Sequence, residues 1–247
     1  MQDWLALPML ALLAGLLALT PLGSQVLRRG VVFIDLAVAQ AATAAVIWIH
    51  GVVELESFWW DQLAASAGAL GVSLVIAGMT RRWPRQREAL IGLLYVAAAC
   101  SAILGASSHP HGKEKLMQLL AADVLWVNTS SVLALVLCAA VITLLRQTRS
   151  FQQDTVFYVL FALATSLAVP AIGLFLVFGC LIAPALWIER GHGHWFVCFS
   201  AWAAALAGLL LSWLMDTPSG PTIGLTLTLW GMSSLFFARQ GDIQFKS

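Results

Sequence analysis

Nine apolar segments, separated by short polar stretches, run along the chain from end to end. Charged and turn-forming residues divide them, as in RRWPRQRE at 81–88 and DTPSGPT at 216–222. A helix needs ~20 apolar residues to cross a bilayer, whereas the strands of a membrane barrel would alternate in polarity. The pattern predicts an all-α, polytopic transmembrane protein with about eight or nine spans. The segments fall at 4–27, 31–52, 58–80, 89–107, 129–145, 156–169, 172–188, 195–215 and 222–238.

Basic residues are concentrated in alternate loops. Of the 13 lysines and arginines, 11 fall on one side of the predicted membrane and 2, Lys113 and Lys115, on the other. The positive-inside rule makes the richer side cytoplasmic, with the N-terminus outside and the C-terminus in the cytoplasm. This alternation holds only if residues 113–128 do not cross, so we expect a short interfacial or re-entrant helix there. The larger set is Arg28, Arg29, Arg81, Arg82, Arg85, Arg87, Arg146, Arg149, Arg190, Arg239 and Lys246.

Composition supports the membrane assignment and excludes several functional classes. Hydrophobic residues make up 60% of the chain and charged residues 10%, whereas a soluble domain carries about 25% charged residues. A net charge of +1 without a basic run gives no indication of nucleic-acid binding. The four cysteines are widely spaced, which argues against a thiolate metal site or a disulfide framework. We expect residues 1–247 to form one transmembrane domain.

Catalytic motifs are absent from the sequence. It contains no G-x-x-x-x-G-K-[ST] phosphate loop, no H-E-x-x-H zinc helix and no G-x-S-x-G nucleophile turn. We therefore expect this chain not to be an enzyme and to bind no cofactor of its own.

Polar residues inside apolar segments are the first candidates for function. A charged side chain at the centre of a membrane helix costs about 2.5–3.5 kcal/mol on insertion scales, so it must face protein or water. Asp35, Gln40 and Asp123 are candidates for a transport pathway. Asp35 could instead pair with a basic group near the cytoplasmic surface, and Gln40 is expected to hydrogen-bond a neighbouring helix.

Three histidines are predicted on the outer side, namely His50, His109 and His111. Imidazole is the commonest protein ligand for zinc and similar metals. These residues are candidate ligands for capturing a metal ion from outside. The alternative is that they are interfacial histidines without a ligand role.

Four separated motifs resemble one known family. They are PLGSQVLRRGVVFIDLAVAQAA at 21–42, LLAADVLWV at 119–127, AIGLFLVFGCLIAPA at 171–185 and DTPSGPTIGL at 216–225. In this order they resemble the permease subunits of zinc and manganese ABC importers related to the bacterial high-affinity zinc uptake system. The resemblance covers most of the chain.

The resemblance implies a permease for a divalent metal, with zinc as the first expectation, in a bacterial inner membrane. It also implies a homodimer, a separate ATP-hydrolysing subunit and a periplasmic metal-binding protein. The segment RQTRSFQQD at 146–154 is shorter than the family's ATPase-coupling helix, so docking is expected through a shortened helix or through residues 81–88. Arg146, Arg149, Phe151 and Asp154 are the coupling candidates.

The second apolar segment departs from the family pattern. An ungapped alignment of the first motif puts Leu36 where the family has aspartate and Gln40 where it has histidine. Asp35 lies one position away, about 100° around a helix. The alternatives are therefore an ATP-independent secondary carrier or channel, in which Asp35 or Asp123 relays protons, and a membrane scaffold that transports nothing.

Overall fold

Helices make up the regular structure of the described chain. The computed structural model describes residues 3–50, 58–108, 112–120 and 124–236, and it contains no strand in those ranges. The helices are α1 Asp3–Arg29, α2 Ile34–His50, α3 Phe58–Arg82, α4 Arg87–Ser107, α5 Gly112–Leu120, α6 Thr129–Leu145, α7 Asp154–Ile172, α8 Leu174–Glu189, α9 His194–Met215 and α10 Ser219–Ser233. Two 3₁₀ turns, Val124–Trp126 and Arg149–Gln152, precede α6 and α7.

Each of the nine predicted apolar segments coincides with one helix. Five helices, α1, α3, α4, α7 and α9, are long and apolar enough to cross a membrane, and α2, α6 and α8 are shorter apolar helices. The remaining two are α10, with 15 residues, and α5, with 9. At 1.5 Å per residue, α5 reaches only about 14 Å and cannot span. The prediction of a polytopic all-α membrane protein is confirmed.

The first helix lies at the centre of the bundle. It packs against α6, α7, α8 and α9. Leu12, Leu16, Leu19 and Leu22 on α1 are completely buried. On one flank α2 packs against α3 and α4, and on the other α10 packs against α8 and α9. An apolar helix buried on most of its circumference is what a central membrane helix requires.

Small residues allow the central helices to approach closely. A Cβ added to Gly23 of α1 would lie 1.8 Å from the carbonyl oxygen of Leu181 in α8. A Cβ added to Gly68 of α3 would lie 2.5 Å from the carbonyl oxygen of Ala41 in α2. Membrane helices associate largely through such close contacts, because lipid gives no hydrophobic driving force between them.

A single glycine joins α7 to α8. Gly173 has a φ of 85°, which L side chains rarely adopt, and it lies directly between Ile172 and Leu174. The glycine lets one helix end and the next begin without a loop. Gly173 is the third residue of the motif at 171–185, and the apolar helix α8 follows it directly.

Candidate functional site

One end of the bundle carries most of the basic residues, and Arg29 is the centre of its contacts. This basic end comprises the C-termini of α1, α3, α6 and α8 and the N-termini of α7 and α9. Arg29 Nη1 forms an ion pair with Asp154, and its Nη2 donates to Gln25 Oε1 at 2.8 Å and to the carbonyl of Gln152 at 2.9 Å. The guanidinium also lies over the ring of Phe157, 4.5 Å from its centroid. Arg29 thus fixes the start of α7 to the end of α1.

Two further contacts strengthen this connection. Gln25 Nε2 donates to the carbonyl oxygen of Phe151 at 2.8 Å, so α1 also holds the 3₁₀ turn. Arg28 Nε donates to Glu189 Oε1 at 3.2 Å in an exposed ion pair that joins α1 to α8. The end of α1 is therefore bound to three segments that converge at the basic end.

The four coupling candidates have different environments at this end. The side chain of Phe151 is buried, so it anchors the 3₁₀ turn and does not form an outer surface. The side chain of Asp154 is half-exposed beside Arg29. Arg146 caps α6, and Arg149 begins the 3₁₀ turn. Between α6 and α7 the regular structure is one 3₁₀ turn, Arg149–Gln152.

A cleft of about 600 Å³ opens at the basic end between α1, α6 and the start of α9. The Arg146 guanidinium forms part of its wall and lies 5.2 Å from the ring centroid of Trp195. The other lining residues are Pro21, Ser24, Gln25, Arg28, Arg29, Gln147, Phe151, Gln152, Ile188 and His194. The lining combines polar and basic residues with the apolar side chains of Pro21, Phe151 and Ile188.

Asp35 lies in the first turn of α2 and is completely buried. The nearest donors are the backbone N–H groups of Asp35 itself and Leu36, but within the described chain neither carboxylate oxygen forms a hydrogen bond of normal geometry. The predicted alternative, an ion pair with a nearby basic group, is wrong for the adjacent arginines. Arg28 pairs with Glu189 and Arg29 with Asp154. Burying a carboxylate without a partner is costly, so Asp35 stays a candidate for function.

The structure does not bring Gln40 and Asp35 together on one face of α2. Five residues at 100° each separate their directions by about 140°. The side chain of Gln40 is buried, and the helix-to-helix hydrogen bond expected for it stays a prediction. Leu36 instead lines an apolar cavity of about 440 Å³ between α2, α8 and α10. Its polar lining residue Thr228 donates its hydroxyl to its own helix, at the carbonyl of Gly224.

At the opposite end of the bundle, His50 is paired with a carboxylate. His50 Nε2 lies 2.6 Å from Asp61 Oδ1, so the end of α2 is bound to the start of α3. The other predicted residues of this side, His109, His111 and Asp123, lie outside the described residues. Among the residues that are described, no group of three His, Cys, Asp or Glu side chains is placed to hold a metal ion.

Sequence reasoning missed the polar contacts between α3 and α7. Gln62 Nε2 donates to the carbonyl oxygen of Ser166 at 3.4 Å, and Ser66 Oγ lies 3.2 Å from Ser166 Oγ. Nearer the basic end, Thr80 Oγ1 lies 3.1 Å from the hydroxyl of Tyr158. Gln62, Ser66 and Thr80 on α3 recur at helical spacing. This pattern in the sequence would have predicted a polar face on α3. Hydroxyl contacts of this kind bind membrane helices to one another.

The fold and the two polar ends define the class of this chain as a multi-pass helical membrane protein. Residues 148–238 match the sequence model of the ABC 3 transport family. The fold is similar to that of a chain in the structure of PsaBC from Streptococcus pneumoniae in complex with Fab, with a TM-score of 0.73. That match has 17% sequence identity and covers 96% of this chain and 93% of the other, so it concerns the fold. Curated protein sequences gave no significant match.

These comparisons agree with the motifs. The matched region runs from just before the 3₁₀ turn Arg149–Gln152 through α10, and it contains the motifs at 171–185 and 216–225. The resemblance to an ABC transport permease is confirmed.

Proposed function

We propose that this chain is the membrane-spanning permease of an ATP-driven importer for a divalent metal ion, with zinc as the transported ion. The observation that carries the proposal is the match of residues 148–238 to the ABC 3 transport family. In this proposal two copies of the chain form a homodimer in a bacterial inner membrane. Each copy binds a separate ATPase subunit on its cytoplasmic side, and a periplasmic binding protein delivers the metal to the outer side.

The contacts at the basic end support a route for coupling ATP hydrolysis to transport. Arg29 joins the 149–154 segment to the end of α1, and α1 leads into α2 through residues 30–33. Val32 N–H in that connection donates to Glu88 Oε1 of α4 at 2.9 Å. An ATPase that moves the 149–154 segment would therefore move the start of α2, where Asp35 lies. Arg149, Phe151 and Asp154 belong to this segment, with Phe151 as its buried anchor, and Arg146 lies three residues before it at the C-cap of α6.

The transport pathway is proposed to run along α2, with Asp35 and Gln40 as pathway residues and Asp123 as a third. The unpartnered carboxylate of Asp35 supports this, because a passing cation or water would supply the missing contact. Leu36 contributes no ligand atom, so this helix holds a metal only weakly. Weak binding is compatible with transport, since the ion must also leave.

At the outer end, His50 is proposed to take part in metal capture with His109 and His111. Its Nε2 is paired with Asp61, which leaves Nδ1 as the nitrogen for a metal. A carboxylate that binds one ring nitrogen fixes the orientation of the other, as commonly occurs around metal-binding histidines.

The importer proposal is tested first by co-isolation. We expect the purified chain to isolate with a P-loop ATPase encoded beside it and to change the rate of ATP hydrolysis by that ATPase. Asp154→Asn and Arg29→Met should weaken this effect, whereas Arg190→Gln, at the same end but outside these contacts, should not. A chain that remains alone with every neighbouring ATPase, yet transports cations, would instead be an ATP-independent carrier. A chain that remains alone and transports nothing would be a scaffold.

The altered second helix has its own test. Leu36→Asp combined with Gln40→His should increase the amount of zinc that the isolated permease retains through dialysis, because carboxylate and imidazole bind zinc better than an alkyl group and an amide. The control is Leu36→Asn with Gln40 unchanged, which adds polarity without strong ligands. Equal retention by both variants would show that these two positions do not form a ligand pair.

A further inference from the structure

The cleft at the basic end is lined by arginines that are not all paired with acids. Arg28, Arg29 and Arg146 all line it. Arg28 and Arg29 are already paired, with Glu189 and Asp154 respectively. Arg146 forms no ion pair with any residue of the described chain. Three arginines and two carboxylates leave one positive charge uncompensated at this cleft.

Arg146 also has an unsatisfied hydrogen-bond donor. Its Nε is enclosed by protein and has no hydrogen-bond partner in the described chain, and its guanidinium is stacked over Trp195. Leaving a buried charged donor without an acceptor is costly. A bound group that accepts a hydrogen bond and carries about one negative charge would therefore satisfy both the charge and the donor of Arg146.

Apolar surface adjoins the cleft on the side of the bundle. Both α6 and α9 pack against α1, and the end of α6 and the start of α9 contribute to the cleft. Exposed apolar side chains follow along both helices from the basic end. They include Leu144 and Leu137 on α6 and Phe196 and Phe199 on α9. A ligand that fits must combine an anionic head with long apolar chains.

We propose that this cleft binds an anionic phospholipid, with the phosphate at Arg146 and the acyl chains along the exposed apolar side chains of α6 and α9. A phosphodiester carries one negative charge and presents oxygens that match the planar donors of a guanidinium. Basic pockets at the ends of membrane helices bind such head groups. Trp195 is the second residue of α9, and tryptophans are common near the ends of membrane helices, where they meet the head-group region. The site does not involve the transported metal, and its residue Arg146 is also one of the proposed coupling residues.

The test uses the full-length chain in detergent, titrated with phosphatidylglycerol or with phosphatidylcholine. Binding is read by native mass spectrometry and by the fluorescence of the tryptophans. We expect phosphatidylglycerol to bind at least about tenfold more tightly than phosphatidylcholine, and Arg146→Gln to remove most of this preference. Arg82→Gln is the matched control, since Arg82 also stacks on a tryptophan, Trp83, at the same end but outside the cleft.

Three results would overturn the proposal. Equal loss of preference in both variants would indicate a general attraction of anions to the basic end. Binding of glycerophosphate as tightly as phosphatidylglycerol would show a free-anion site with no contribution from acyl chains. Unchanged lipid binding by Arg146→Gln, together with loss of ATPase co-isolation, would assign Arg146 to a protein interface. If Arg146→Gln does not fold, Arg146→Lys serves in its place and should give an intermediate preference, because it keeps the charge without the planar donors.

Discussion

The crossing of α1 and α8 depends on the absence of a side chain at Gly23. A Cβ added there would lie 1.8 Å from the carbonyl oxygen of Leu181, 2.8 Å from its carbonyl carbon and 3.3 Å from Ala185 Cβ. Contacts shorter than 3.0 Å essentially do not occur for a real Cβ, so the two backbones must separate by more than about 1 Å. Neither backbone atom can move away as a flexible side chain could.

The magnitude of the effect follows from two opposing contributions. Overpacking a close contact costs about 1–3 kcal/mol, and alanine in place of glycine inside a helix returns about 0.5–1 kcal/mol. Because the clash in Gly23→Ala involves backbone on both sides, we place its cost at the upper end and expect a net loss of about 2 kcal/mol. At Gly71 on α3 an added Cβ would meet nothing within 4 Å. Gly71→Ala should therefore keep or slightly raise the stability.

The assay is thermal unfolding of each variant, purified in the same detergent. A loss of about 2 kcal/mol lowers the unfolding midpoint by about 4–8 °C in a chain of this size. Gly23→Ala should show such a decrease, and Gly71→Ala should match or exceed the wild type. A midpoint for Gly23→Ala within about 1 °C of wild type, which is roughly the error of such a measurement, would refute the close α1–α8 crossing.

Three further predictions concern the two ends of the bundle. Arg29→Met should reduce the free energy of unfolding by about 2 kcal/mol, because it removes an ion pair, a backbone hydrogen bond and a cation–π contact. Arg28→Met should cost at most about 0.5 kcal/mol. Equal effects of the two variants in chemical unfolding would contradict the central role of Arg29. The topology is tested in a chain whose native cysteines have been replaced. A cysteine at the exposed position Lys113 should react with an impermeant thiol reagent added outside intact cells, and one at Arg85 should not. The reverse pattern would invert the topology. Alanine at His50 and at the other two outer histidines should lower uptake most when zinc is scarce, and unchanged uptake would leave them without a ligand role.

The helices were predictable from sequence because insertion into a bilayer depends on local hydrophobicity. Each span is recognisable by its own length and composition, and the distribution of basic residues indicated that 113–128 does not cross. The short helix α5 agrees with that prediction. The environment of Phe151 was not predictable in the same way, because its burial arises from the contact of the 3₁₀ turn with α1.

The pairing of polar groups depends on contacts between distant segments, and single-sequence reasoning did not find it. His50 was identified as a possible ligand, but its partner Asp61 belongs to the next helix. Arg29 was recognised as part of a basic pair, yet its contacts with the start of α7 lie more than one hundred residues away in sequence. For Asp35, the sequence left open a pathway role and an ion pair with a basic group. Both neighbouring arginines pair with other acids, and the pathway role stays a prediction.

ATP-driven metal import by this chain is tested most directly by zinc uptake into proteoliposomes. The vesicles should contain this chain together with the ATPase encoded beside it, with the metal-binding protein added outside and ATP enclosed within. We predict that zinc accumulates only when all components and hydrolysable ATP are present, and that a non-hydrolysable analogue or omission of this chain abolishes uptake. Zinc flux that is the same without ATP, or no flux from the complete system with a correctly inserted chain, would contradict the proposal.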